Sequence, residues 1–196
     1  MGIIFRIVAP VYQACPLCSS SEVHPLFIDK SVGFYQCARC LVHWAQAKGA
    51  PKPSSQAYSD AYYRQNYMPR LDLQRRFFAE ELRRFRQFMK PGRVLDVGFG
   101  LGAFLQEAHL AGWKTEGIES SSAAYDYSKK ALSSEVLLRL GDFARVNLVR
   151  DSYDLICFWD VLAHVEDPRA YLLKARSLLS ANGIIVIKTP IRPTKR

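Results

Sequence analysis

No stretch of this 196-residue sequence approaches the roughly 20 consecutive apolar residues that a bilayer-spanning helix needs. The opening segment, Met1 to Val11, is partly apolar but is interrupted by Arg6 and Pro10. It has neither a basic start nor a small-residue cleavage site, so a secretory signal is not expected and a cytoplasmic protein is. A Gly-Lys-Ser/Thr phosphate loop is also missing, which sets aside Walker-type nucleotide chemistry. Acidic residues are in short supply, 18 against 27 Lys and Arg, giving a net charge of +9. Cysteines number only five.

What remains is an ordinary globular balance, 49% hydrophobic and 23% charged, long enough for one full domain and a small appendage. The positive excess gathers in two places. One is Arg70 to Arg93, with Arg75, Arg76, Arg83, Arg84 and Arg86; the other is Lys188, Arg192, Lys195 and Arg196. In the first, Phe78, Leu82, Phe85 and Met89 recur at helical spacing, so the arginines fall mostly on the opposite side. A solvated helix face is the simpler reading, and a phosphate-binding or RNA-binding face is the alternative.

Four of the five cysteines form Cys15-Pro-Leu-Cys18 and Cys37-Ala-Arg-Cys40, with 18 residues between the pairs. Two cysteines separated by two residues place both sulfurs on one side of a tight knuckle. Two knuckles supply four thiolates to a tetrahedral Zn2+, with no open coordination position, so the site is structural. About 50 residues bury little core, and the metal would carry much of the folding energy. Disulfides are disfavoured in a reducing compartment. His24 and His43 lie nearby, but four cysteines suffice. Phe34, Tyr35 and the segment Leu41 to Trp44 are expected as the strands that carry the second knuckle. Cys157, inside the apolar run Leu155 to Trp159, reads as a packing residue.

The stretch from Ala47 to Ser55 is rich in Pro, Lys and Ser and reads as a linker, followed by a tyrosine-rich segment from Tyr58 to Tyr67. The expected division is a zinc ribbon over residues 1–46, linker and tyrosine-rich segment over 47–69, and a main domain over 70–196. In the main domain, Val94 to Val97 reads as a buried strand and Gly98-Phe-Gly100-Leu-Gly102 as a turn. Ala103 to Ala111 reads as a helix, and Trp113 to Ile118 as a second strand ending at Glu119. This is a βαβ unit with a glycine-rich first loop, and a parallel sheet follows from it. Dinucleotide sites of this kind direct a pyrophosphate at the helix N-terminus. Here Asp96 precedes the first glycine, where a carboxylate repels a pyrophosphate and attracts a cation. S-adenosylmethionine carries a sulfonium and an ammonium and no phosphate. Glu119, 17 residues beyond Gly102, is placed to accept hydrogen bonds from both ribose hydroxyls.

These residues resemble the class I S-adenosylmethionine-dependent methyltransferases over roughly Arg93 to Pro190. Val94-Leu-Asp-Val-Gly-Phe-Gly-Leu-Gly-Ala is similar to the family's first motif, and Gly117-Ile-Glu119 to its ribose-binding acid. Gly141-Asp142-Phe143 is similar to the segment whose aspartate and following N–H meet the adenine. Phe158 to Pro168 resembles the fourth-strand motif. Leu178 to Gly183, then Ile184 to Lys188, resembles the last helix, its glycine turn and the fifth strand. The resemblance implies an α/β, Rossmann-like parallel sheet with flanking helices. Its cofactor, S-adenosylmethionine, would be held by Asp96, Gly98, Gly100, Gly102, Glu119, Asp142, Phe143 and Asp160. His164, just after the fourth strand, is the candidate general base, with a purely structural bond to the next helix as the other reading. His109 is expected at the surface. A four-cysteine ribbon ahead of such a domain resembles members that methylate sugar nucleotides or other small molecules.

Three departures qualify the resemblance. Ala163 stands where the family often has a glutamate before the histidine. No Asp/Asn-Pro-Pro-Tyr segment follows the fourth strand, which argues against methylation of adenine or cytosine amines. Only eight residues follow Lys188, where the family adds a helix and an antiparallel strand pair. The expectation is a sheet lacking its C-terminal strands, with Ile184 to Ile187 as an apolar edge. A truncated chain, self-association or a partner covering that edge would account for it. Small-molecule methyl transfer is the leading reading; RNA methylation through the ribbon and basic helix, and a non-catalytic cofactor-binding module, are the alternatives.

Overall fold

A computed structural model describes residues 14–28, 32–47 and 59–189. Met1 to Val11, the Lys48 to Ser55 part of the linker, and Arg192, Lys195 and Arg196 lie outside them. Two compact units are present, one within residues 1–52 and one holding the bulk of 53–196.

The small unit is an antiparallel sheet of three strands in sequence order: β1 (Val23–Ile28), β2 (Val32–Cys37) and β3 (His43–Ala47). Along β2, Gly33, Tyr35 and Cys37 are buried while Val32, Phe34 and Gln36 are less so, the period-2 alternation of a strand with one covered face. Tyr35 lies opposite Trp44, with the rings stacked at 5.7 Å. Pro25 has no N–H for a ladder and sits in β1, at the sheet edge, next to a register shift between Pro25 and Phe27.

The larger unit opens with helices α1 (Asp60–Asn66) and α2 (Leu71–Phe85), joined by a 3₁₀ turn at Met68–Arg70. Alternating elements follow: β4 (Arg93–Val97), α3 (Ala103–Leu110), β5 (Lys114–Glu119), α4 (Ser122–Ala131), β6 (Leu137–Leu140), β7 (Tyr153–Trp159), α5 (Pro168–Leu178) and β8 (Leu179–Lys188). The five strands pair in parallel in the order β6-β5-β4-β7-β8. Strand β4 therefore has β5 on one side and β7 on the other, so the winding direction reverses between β4 and β7, where open α/β sheets bind ligands.

Strand alternation sends side chains to two cores. Val94, Leu155 and Cys157 pack with Leu82 and Phe85 of α2 and Phe104 of α3. Leu95, Val97, Ile156 and Phe158 pack with Ala175 and Leu178 of α5. Being buried on both faces explains why β7 reads as an almost unbroken apolar run. Cys157 is fully buried, as its sequence context implies. The tyrosine-rich segment contributes α1, capped by the Ser59 hydroxyl, and buries Tyr63 with Leu101 and Ala124.

One element departs from expectation. The last helix ends at Leu178, and residues 179–183 already belong to β8 rather than to a helix end and glycine turn. A register irregularity between Tyr153 and Leu155 absorbs this stretch before regular pairing resumes at Ile184. Gly183 fits there for packing reasons, since a Cβ would come within 2.6 Å of the Tyr153 carbonyl. Strand β8 is one of the two outer strands of this sheet among the described residues, β6 being the other.

Candidate functional site

The end of β4 carries the feature that shapes the site. Asp96 is 1% exposed, and its Oδ1 has no protein hydrogen-bond partner. Burial, with Glu119 adding to it, pushes the Asp96 carboxyl well above the usual carboxylate range. The chain then turns through Gly98, Gly100 and Gly102 with φ of +73°, +56° and +77°. At Gly98 a Cβ would meet Val161 Cγ2 at 2.6 Å, so the loop approaches the segment after β7 across the switch point. At Gly100 a Cβ would meet nothing within 4 Å, which leaves open space above the loop.

Glu119 ends β5 and is 6% exposed. Its Oε2 accepts the Gly100 N–H at 2.8 Å, and its Oε1 accepts the Ser121 N–H at 2.8 Å. Each carboxylate oxygen has two lone pairs, so acceptor capacity remains for hydroxyls. The loop is further tied down by Ser128 Oγ, which donates to the Gly100 carbonyl at 3.2 Å. Gly141 N–H donates to the Glu119 carbonyl at 2.8 Å, bringing the segment after β6 alongside. There Asp142 Oδ1 accepts from the Ala144 N–H at 2.9 Å and the Tyr171 hydroxyl at 2.6 Å. Burial and the bond to Asp142 push the Tyr171 phenol up, so it stays a donor. The Phe143 ring is core, packed on Phe158 and Tyr171, so a direct role for this residue falls to its backbone.

The structure thus gathers Asp96, the glycines, Glu119 and Asp142 around the ends of β4, β5 and β6. Asp160 and His164 follow β7. Asp160 has a φ of +59°, donates its N–H to the Lys188 carbonyl at 2.7 Å and forms an ion pair with the Lys188 ammonium. A left-handed aspartate at a strand end is a strained conformation of the kind found at functional sites. His164 is exposed in the 3₁₀ turn Leu162–His164. His109 is partly exposed on α3, with Nε2 3.6 Å from Glu135. Ser121, Ser128, Tyr171 and Lys188 escape the sequence reading. Only Ser121, a helix-capping type two residues after Glu119, offers a local signal.

In the small unit the four sulfurs of Cys15, Cys18, Cys37 and Cys40 lie within 4.8 Å of one another, with Cys15–Cys40 and Cys18–Cys37 both at 3.6 Å. Four thiolates about 2.3 Å from a tetrahedral zinc would be separated by about 3.8 Å. The two knuckles repeat one hydrogen-bond scheme. Ser19 and Leu41 N–H donate to the Cys15 and Cys37 carbonyls at 2.9 and 3.0 Å. Cys15 and Cys37 N–H donate to the Ser20 and Val42 carbonyls at 2.8 and 3.0 Å. Ser19 and Leu41 both take left-handed φ, 59° and 60°. The Cys40 N–H aimed at its sulfur lowers the Cys37 thiol, while burial and the neighbouring sulfurs push Cys40 up. This donor set fits a structural zinc.

An α/β sheet wound around a glycine loop, with carboxylates where a pyrophosphate would need cations, defines the Rossmann-like methyltransferase class. Residues 70–196 match the methyltransferase domain family, and the chain belongs to it. Among curated relatives, it is 26% identical over 121 residues to the mitochondrial ubiquinone biosynthesis O-methyltransferase of Schizosaccharomyces pombe, covering 57% of this chain and 43% of that protein. A ubiquinone biosynthesis O-methyltransferase of Glaesserella parasuis is 26% identical over 111 residues, covering 53% and 47%. The chain spans less than half the length of these relatives. In fold it is similar to a putative S-adenosylmethionine-dependent methyltransferase of Methanococcus maripaludis, with a TM-score of 0.58, 16% identity, and 72% and 67% of the two chains covered. It is also similar to a TehB-like methyltransferase of Corynebacterium glutamicum, with a TM-score of 0.54, 22% identity, and 65% and 71% covered. No helix among the described residues is long and apolar enough to cross a membrane.

Proposed function

We propose that this protein transfers a methyl group from S-adenosylmethionine to a hydroxyl of a small-molecule acceptor, such as a sugar nucleotide or related metabolite. The observation that carries the reading is the orphaned, buried Asp96 carboxyl beneath the glycine loop beside Glu119. S-adenosylmethionine supplies a methyl carbon made electrophilic by its sulfonium. Asp96 offers negative charge to a cationic ligand, and Glu119 offers acceptor capacity to ribose hydroxyls. Asp142 and the Phe143 backbone serve the adenine, Asp160 contacts the cofactor or the acceptor, and His164 serves the acceptor.

Methyl transfer is an in-line displacement, so much of its rate comes from holding the reacting atoms in line and keeping water out. A hydroxyl acceptor must also lose a proton. On this reading His164 takes it, a contribution of about 10²–10⁴ in rate. The names of the two relatives support oxygen as the acceptor atom. The arginines of α2 and its C-cap favour a small acceptor over RNA, because several are already engaged. Arg75 pairs with Glu107, Arg83 with Glu80, Arg84 with Glu81, and Arg86 donates to the Ala111 carbonyl. Cys15, Cys18, Cys37 and Cys40 hold a structural Zn2+ in a ribbon within residues 1–46, with 47–69 leading to the methyltransferase domain at 70–196. A reducing, cytoplasmic setting keeps these thiols available. The outer edge of β8 is the place for self-association or a partner.

Calorimetry with S-adenosylmethionine, followed by methyl-transfer assays on a panel of hydroxyl acceptors, tests this reading. Binding with turnover of a small hydroxyl compound supports it. Binding without turnover on any acceptor would leave a cofactor-binding module, and turnover on RNA alone would replace the acceptor assignment.

A further inference from the structure

The segment after β6 folds into a tight turn whose polar groups are nearly all spent internally. The Asp142 carbonyl accepts the Arg145 and Val146 N–H groups at 2.9 and 3.0 Å. Asp142 Oδ1 accepts the Ala144 N–H at 2.9 Å. Lys174 of α5 takes the carbonyls. Its ammonium donates to Phe143 at 2.5 Å, Ala144 at 3.2 Å and Val146 at 2.6 Å, which uses all three of its protons. Two groups are left over. The Phe143 N–H has no partner among the described residues. Asp142 Oδ2 has only the exposed Arg145 side chain, 3.8 Å away and beyond hydrogen-bond length. A free acceptor and a free donor on adjacent residues complement the amino group and ring nitrogen along one edge of adenine.

Tyr171 decides which carboxylate oxygen is left. Its hydroxyl donates to Oδ1 at 2.6 Å, the length of a charge-assisted bond. With the Ala144 N–H it fills both lone pairs of that oxygen. The χ2 torsion of an aspartate is broad and two-fold, so one backbone bond leaves the carboxylate room to pivot, whereas two donors on one oxygen fix its plane. The phenol is itself held in place by packing. Its ring lies 5.2 Å from that of Phe143. The Lys174 ammonium, one turn further along α5, lies 5.1 Å from the centre of the same Phe143 ring. Phe143 is 2% exposed, so the helix and the turn are joined through a buried side chain.

We infer that Tyr171 is a positioning residue for base recognition: by saturating Asp142 Oδ1 it leaves Oδ2, together with the Phe143 N–H, to the adenine of the cofactor, and so selects a 6-amino over a 6-oxo purine. The inference rests on the cofactor reading above. It gives α5, an element outside the glycine loop, a part in choosing the ligand.

The test measures calorimetric affinities of the full chain for S-adenosylhomocysteine and for S-inosylhomocysteine, which carries a carbonyl in place of the amino group. The wild type should prefer the adenosyl compound by about a hundredfold, since a site built to accept a hydrogen bond rejects a ligand that cannot donate one. Tyr171→Phe keeps the ring against Phe143 and removes only the hydroxyl. It should weaken S-adenosylhomocysteine binding about tenfold and S-inosylhomocysteine binding by less than about twofold, so that the preference narrows. In an Asp142→Ala background the same substitution should cost nothing further. Four results would each overturn the inference while leaving the cofactor reading intact: no preference in the wild type, an unchanged S-adenosylhomocysteine affinity in Tyr171→Phe, equal weakening of both ligands, or an undiminished effect in Asp142→Ala. Failure of the folded wild type to bind S-adenosylhomocysteine at all would overturn the cofactor reading, and this inference with it.

Discussion

The Gly100 N–H donates to Glu119 Oε2 at 2.8 Å, joining the glycine loop after β4 to the last residue of β5. One carboxylate thus shapes the loop and faces the space above it. Glu119→Ala should therefore do two kinds of damage. It removes two charge-assisted bonds to backbone N–H groups, at a cost of about 2–3 kcal/mol in stability. It should also weaken S-adenosylhomocysteine binding by well over tenfold, whereas Glu119→Gln should recover part of the stability and little of the affinity. Calorimetry and urea unfolding of both variants read the two effects separately.

Asp96 and Glu116 are both buried acids, yet they should respond to pH in opposite directions. Burial, reinforced by Glu119, raises the folded-state pKa of Asp96. Stability is therefore lost as pH rises from the unfolded carboxylate value, near 3.9, through the folded one. Asp96→Asn should stabilise the cofactor-free protein at neutral pH while weakening cofactor binding. Burial pushes Glu116 up too, but Arg93, Arg139 and the Tyr153 hydroxyl outweigh it and hold its pKa below the usual value. Its contribution is present at neutral pH and is lost as pH falls through the folded pKa. Urea midpoints measured from acid to neutral pH for Asp96→Asn and Glu116→Gln check both signs.

A cationic ligand beside Asp96 favours its ionised form. Where the cofactor-free carboxyl is protonated, binding should release a proton, and affinity should rise with pH. Calorimetry in buffers of differing ionisation enthalpy detects that proton, and Asp96→Asn should abolish it.

The ribbon should contain one zinc per chain by native mass spectrometry, and strong chelation should unfold it while leaving the larger unit's transition in place. Leu41 is 66% exposed with a φ of 60°, a conformation costing a branched residue about 1 kcal/mol. Leu41→Gly should therefore tighten metal retention in a chelator competition, and Cys37→Ser should abolish it.

Much of this architecture was legible because its signals are local. The Gly98–Gly102 spacing, Asp96 before it and Glu119 after the next strand fix a βαβ unit within one stretch of chain. The two Cys-X-X-Cys pairs signal a four-sulfur cluster by spacing alone. The left-handed backbone at Ser19 and Leu41 was less legible, because neither is glycine. Glu116 has no local signal within β5, since its partners Arg93, Arg139 and Tyr153 are 23, 23 and 37 residues away. Tyr171 bonds Asp142 across 29 residues, and Lys188 meets Asp160 across 28. The early start of β8 at Leu179 was hidden because Leu-Ser-Ala-Asn-Gly carries helix-end chemistry, which pairing to β7 overrides.

The His164 role is separable from the fold. His164→Gln should leave S-adenosylhomocysteine affinity unchanged and lower turnover of a hydroxyl acceptor by about 10²-fold or more. If that turnover depends on a neutral imidazole, the loss should shrink as the acceptor becomes more acidic.

The most direct test of the cofactor pocket is a calorimetric titration of the full chain with S-adenosylhomocysteine, run beside Glu119→Ala. Saturable binding at one site per chain, lost in the variant, is the predicted result. Absence of binding in a folded, zinc-loaded protein, or equal binding by Glu119→Ala, would contradict the account.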